Sequence, residues 1–124
     1  MAQMFAHLEA QEQQAVQSFV RQLRDLLAEQ LLDVVLFGSK ARGDSGPWSD
    51  IDILIVVQVE GWPLRREIST LAARISLEYD VLIGPRVIGQ ERWERMRQDR
   101  FRLYQNVVAE GISLSPLVSA EASS

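Results

Sequence analysis

The sequence predicts an α/β sandwich, and three observations lead there. Two runs of strand length, Leu31 to Phe37 and Ile53 to Val57, are apolar, the first except for Asp33. Around them lie segments whose apolar residues recur at helical spacing. The polar residues richest in chemistry gather between the two runs, at positions 38 to 52. A rigid sheet holds side chains there while the connection stays open to a ligand.

The elements follow in order. From Glu9 to Gln30, the residues Val16, Phe19, Val20, Leu23, Leu26 and Leu27 mark the buried face of one long helix, an element of packing. The lone histidine, His7, precedes it and is read as a surface residue. After the first strand a short helix or loop begins at Ser39, and the second strand opens at Asp50-Ile51-Asp52. Gly61-Trp62-Pro63 breaks the pattern. Leu64, Ile68, Leu71, Ala72 and Ile75 then predict a second amphipathic helix with Pro63 in its first turn. A third strand is expected from Tyr79 to Ile83, stopping near Gly84-Pro85 and resuming at Arg86 to Ile88 on a sheet edge. Residues Gln90 to Glu110 read as one or two helices. The chain divides into residues 1–114 and a small, polar tail, 115–124, expected to fray.

A chain of 124 residues can bury one respectable core. Its 47% hydrophobic and 24% charged residues are ordinary for a globular protein. No apolar run approaches the roughly 20 residues needed to cross a bilayer, and the N-terminus lacks a secretory pattern, so a cytoplasmic location is expected. Without cysteine, disulfides and thiolate metal sites are excluded. A net charge of -4 argues against tight nonspecific binding to a polynucleotide, which depends on neutralising many phosphates. Five arginines crowd the stretch Glu91 to Tyr104. They read either as a solvated helix with pairs such as Glu91 with Arg95 and Asp99 with Arg102, or as a docking surface for an acidic partner.

Asp50 and Asp52 stand two apart at the start of a strand, so both carboxylates project from one side of the sheet. Two carboxylates that close repel unless a cation lies between them, and Mg²⁺, which combines a few carboxylates with water and phosphate oxygens, fits best. Gly38 lets the backbone approach a phosphate, and the N–H groups and hydroxyl of a helix starting at Ser39 would face the anion. Lys40 and Arg42 add positive charge. Trp48 reads first as a loop tryptophan covering the core, with base stacking as the sharper alternative. An Asp-x-Asp alone is commonly a solvated turn. The order strand, Gly-Ser, short helix, Asp-x-Asp, strand is what points to a nucleotide and metal site.

Gly38-Ser39, Ala41-Arg42-Gly43 and Ser49-Asp50-Ile51-Asp52-Ile53-Leu54 resemble the signature of the DNA polymerase β-type nucleotidyltransferase superfamily, in its minimal, MNT-type branch. The resemblance extends from about Leu31 to Leu114. It implies the nucleotidyltransferase fold, a mixed sheet with helices packed on it, and a metal-dependent transfer of a nucleotide to a hydroxyl. Asp50, Asp52 and a third carboxylate matched to Asp80 would be catalytic and metal-binding, serving two Mg²⁺ ions. Gly38, Ser39, Lys40 and Arg42 would bind the nucleotide, with ATP as substrate.

Proteins of this branch are typically encoded beside a HEPN-domain ribonuclease toxin, which they neutralise. The resemblance therefore implies an antitoxin that moves AMP onto a hydroxyl, a tyrosine in several cases, of a HEPN toxin partner in a heteromeric complex. Two alternatives stay open: a non-catalytic antitoxin that occludes the toxin, and a small-molecule nucleotidyltransferase. Lys40, where arginine or an uncharged residue is common, and Gly84-Pro85, which interrupts the strand after Asp80, depart from the family pattern.

Overall fold

The computed structural model describes residues 5–44, 46 and 49–122. Six helices, α1 (Ala10–Leu27), α2 (Ser39–Arg42), α3 (Trp62–Tyr79), α4 (Gln90–Gln98), α5 (Arg102–Glu110) and α6 (Ser115–Ala122), alternate with strands β1 (Leu31–Phe37), β2 (Ile51–Val57), β3 (Ile83–Gly89) and β4 (Ile112–Ser113). The sheet has the order β3-β2-β1-β4. β1 is antiparallel to β2 and β4, while β2 and β3 run parallel, so the sheet is mixed as expected.

Alternation along the strands sorts the residues onto two faces. Ile51, Ile53, Ile55 and Val57 join Val34 and Leu36 in the larger core, with Phe19 and Leu23 of α1 and Ile68 and Ile75 of α3. Leu54, Val56 and Ile88 face the other way, under Val107 of α5 with Trp93, Met96 and Leu103 packed around them. Asp52 belongs by alternation to this second face, at the N-terminal end of β2.

α1 begins with a reciprocal cap, in which the Glu9 N–H donates to Glu12 Oε1 at 2.9 Å. It is shorter than its sequence pattern suggests, because Ala28 turns to φ 48° and residues Ala28–Gln30 form a 3₁₀ turn. Leu26, expected on the buried face, is 43% exposed. The acidic residue inside β1 is explained by a register shift between Leu31 and Asp33. Asp33 Oδ1 accepts from the Val34 N–H at 2.9 Å and from Ser115 Oγ at 3.0 Å.

The boundary between α3 and β3 differs from the sequence reading. α3 continues through Tyr79, because its stripe of Ile68, Leu71, Ala72 and Ile75 stays on the sheet for its whole length. The strand then starts at Ile83 and runs through Gly84-Pro85 without a break. β2 is the only neighbour of β3 among the described strands, and an edge strand tolerates a proline. The basic stretch forms two helices separated at Asp99-Arg100, where Arg100 has φ 55°. Finally, the segment expected to fray is helical as far as Ala122, with Leu117 buried against the larger core.

Candidate nucleotide and metal site

Gly38 follows β1 at φ 76° and starts α2, its carbonyl accepting from the N–H groups of Ala41 and Arg42, both at 3.1 Å. A side chain at this position would put its Cβ 2.3 Å from Asp52 Oδ2. Only glycine lets the backbone pass so close to the carboxylate. Register explains the contact, since Phe37 pairs with Asp52 across β1 and β2. On the opposite flank Asp52 pairs with Gly84 of β3. A Cβ there would lie 3.5 Å from Asp52 Oδ1 and 3.6 Å from Asp50 Oδ2. Both carboxylates therefore converge over the bare backbone of Gly84, with Gly38 and Ser39 on the other side.

Burial pushes the Asp52 carboxyl above its ordinary range, and the neighbouring Asp50 charge adds to the effect. Arg86 and Arg42 oppose the shift without cancelling it. Such a pair suits a hard divalent cation, which would remove the repulsion and replace lost hydration.

The remaining expected residues lie differently. Arg42 is exposed and within electrostatic reach of Asp52, but it is engaged by Asp44 at 3.1 Å and by Glu110 of α5 at 3.0 Å. Those two carboxylates raise its own pKa. Lys40 is buried and points to α1, where its Nζ meets Glu12 Oε2 at 2.7 Å. The charge expected at the phosphates is instead an internal ion pair, because the second side chain of a helix beginning at Ser39 falls on the α1 side of the sheet. Glu12 thus caps its own helix with one oxygen and anchors α2 with the other.

Asp80 is not in a strand. It terminates α3 at φ 55°, a left-handed conformation that Asp adopts more readily than most residues. Its carbonyl accepts from Gln11 Nε2 at 3.2 Å. It lines a cavity of about 590 Å³ together with Glu12, Lys40, Ser49 and the exposed His7. Among the described residues no three acidic or histidine side chains come together to hold a metal, so Asp80 does not join Asp50 and Asp52. The larger cavity, about 710 Å³, lies between α1 and α3 beside Trp62 and contains none of these carboxylates. Trp48 lies outside the described residues.

The basic stretch does not form the pairs suggested by spacing. Arg97 meets Glu94 at 2.9 Å, and Arg92 leaves its helix to meet Glu60 at 2.9 Å. Arg86 is expected from the sequence only as the point where an edge strand resumes, and the unbroken strand from Ile83 to Gly89 is what places it on the same face as Gly84. Once register is known, strict alternation identifies it.

A family model for the nucleotidyltransferase domain matches residues 16–102, a span that holds the Gly38-Ser39 turn and both converging carboxylates. The chain belongs to the nucleotidyltransferase domain family. Two relatives of this nucleotidyltransferase come from Methanocaldococcus jannaschii. One, named "Putative protein adenylyltransferase MJ0604", is 33% identical over 100 residues, covering 81% of this chain and 94% of the relative. The other, "Putative protein adenylyltransferase MJ0141", is 39% identical over 71 residues, 56% and 72% of the two chains.

Solved structures share the fold of this nucleotidyltransferase. A "putative minimal nucleotidyltransferase" superposes with a TM-score of 0.54 at 23% identity, over 88% of this chain and 99% of that one. A toxin-antitoxin complex with AMP-PNP gives 0.56 at 23% identity, over 79% and 71%. A variant of the MntA-HpeT toxin-antitoxin gives 0.52 at 26% identity, over 78% and 68%. The mixed sheet and its helices are those of a minimal nucleotidyltransferase, as the motif implied.

Proposed function

We propose that this nucleotidyltransferase transfers AMP from ATP to a hydroxyl, a tyrosine of a HEPN-domain toxin being the leading acceptor, and so acts as a catalytic antitoxin. The convergence of Asp50 and Asp52 over Gly84, beside the Gly38-Ser39 turn, carries the reading. The kind of acceptor is supported by the names of the relatives, which are protein adenylyltransferases, and by the toxin-antitoxin complexes among the structural neighbours.

Asp50 and Asp52 would hold Mg²⁺, which when bound supplies Lewis acidity at the phosphate and lowers the pKa of the acceptor hydroxyl. The chain's own residues bind and orient. The Gly38-Ser39 backbone lies against Asp52, so phosphates seated on the first N–H groups of α2 would lie beside the carboxylate pair that would hold the metal. Arg42, held by Glu110, would offset their charge from the rim. The acceptor oxygen bonds to the α-phosphorus as the bond to pyrophosphate breaks, and the hydroxyl proton leaves to solvent.

Incubating the protein with labelled ATP, Mg²⁺ and the product of the neighbouring gene should add the mass of one or more AMP units to that neighbour. Asp50→Asn with Asp52→Asn should abolish the label while circular dichroism is unchanged. Full labelling by the double variant would sink the assignment. A stable complex without any mass increase would instead select occlusion.

A further inference from the structure

The candidate site contains two carboxylates and, beside them, a guanidinium that the proposed transfer has not yet used. β3 runs parallel to β2 with Asp52 opposite Gly84 and Leu54 opposite Arg86. Ile88 packs with Leu54 and Val56 on the face that α4 and α5 cover, so alternation places Gly84 and Arg86 on that face too. A third side chain could enter the carboxylate pair most directly from position 84, and there the chain has no side chain at all. The next residue on the same face and strand is a cation. Arg86 is exposed, is near enough for its charge to be felt at Asp52, and makes no side-chain ion pair or hydrogen bond among the described residues.

We infer that this site takes a single divalent cation on Asp50 and Asp52, and that Arg86 binds the phosphate oxygens of the nucleotide from the β3 side. The inference rests on the nucleotide site proposed above and assigns its electrostatics. Two carboxylates balance one divalent ion, leaving the triphosphate's excess charge to a donor that is not a metal. A guanidinium at the edge of the sheet suits that need, offering paired N–H groups to phosphate oxygens and remaining charged at any working pH. Arg92 and Arg97 of α4 are already engaged, Arg92 by Glu60 and Arg97 by Glu94. Gly84 keeps the floor between the carboxylates and Arg86 open, so that a phosphate can touch both.

The test counts bound Mn²⁺ by electron paramagnetic resonance in the protein saturated with AMP-PNP, and measures AMP-PNP affinity by calorimetry. The wild type should bind one Mn²⁺ per chain. Arg86→Ala should weaken AMP-PNP about tenfold, the scale of one charge-assisted hydrogen bond, with Arg86→Lys recovering part of the loss. Gly84→Asp, whose Cβ has room, should add a second Mn²⁺. Arg86 is on an exposed edge, and an unchanged melting temperature would confirm that each variant folds. Two Mn²⁺ in the wild type, or unchanged AMP-PNP affinity in Arg86→Ala, would overturn the inference while leaving the nucleotide site intact. A wild type that binds neither Mn²⁺ nor AMP-PNP would overturn both.

Discussion

Asp52 shows what the site costs the protein. Its carboxyl is partly buried, faces Asp50, and lies against the backbone of Gly38, so the charged form is disfavoured in the fold. A carboxyl whose folded pKa is raised contributes its full stability below the unfolded pKa of about 3.8 and loses it as pH rises through the folded value. At neutral pH ionised Asp52 therefore destabilises the metal-free protein. Asp52→Asn should melt higher than wild type at pH 7 without metal, and the difference should vanish near pH 3. Adding Mg²⁺ should raise the melting temperature of the wild type and leave the variant unmoved. Scanning calorimetry at both pH values, with and without metal, reads all of these. Lys40 teaches the opposite lesson at the same scale. A positive residue beside a phosphate-binding turn seems built for the ligand, yet its side chain completes a buried pair with Glu12. Sequence spacing placed the backbone correctly and left the direction of the side chain open.

Among the elements, β3 and α4 are joined through one acid. Glu60 Oε1 accepts from the Gly89 N–H at 2.9 Å and from Arg92 Nε at 2.9 Å, while Arg65 binds its other oxygen. Burial alone would raise the Glu60 pKa. The Gly89 N–H and the two arginines outweigh it, and the net shift is downward. The stability this contributes is present above the unfolded pKa of about 4.5 and is lost as pH falls through the folded value. Glu60→Gln should cost about 1–2 kcal/mol at pH 7 in urea titrations, with the gap closing as the medium is acidified. None of this was legible in the sequence, because the three partners are spread from position 65 to 92 and meet only after α3 has returned the chain. The helices with long apolar stripes, α1 and α3, were legible, as were β1 and β2, because burial on one or both faces dictates their pattern. β3 was misplaced by several residues. Tyr79-Asp80-Val81-Leu82-Ile83 has the composition of a strand, but the α3 stripe continues across Tyr79, and tertiary packing overrode local preference.

At the scale of the whole molecule, the sheet is unevenly covered. α1, α3 and α6 bury one face extensively, while α4 and α5 cover the other through Leu54, Val56, Ile88 and Val107. Few buried contacts mean a lower free energy of local opening. In hydrogen exchange, α4 and α5 should lose protection before α1 and α3, and saturating Mg²⁺ with AMP-PNP should protect β3 and the turn into α2 most. Uniform exchange across all four helices would contradict this ranking. The candidate site adjoins the thinly covered face, at the ends of β1, β2 and β3, and the motif that marks it, Gly38-Ser39 with Asp50 and Asp52, consists of backbone and short side chains. That explains why a motif of a few residues made the site recognisable while its third side remained hidden. The unbroken passage of β3 through Pro85 has a separate consequence. A seven-residue edge strand is a template on which another extended chain can grow, and Pro85 removes one donor from that edge while the adjoining Arg86 adds a charge. The same short stretch that borders the candidate site thus also discourages the protein from polymerising through its own sheet.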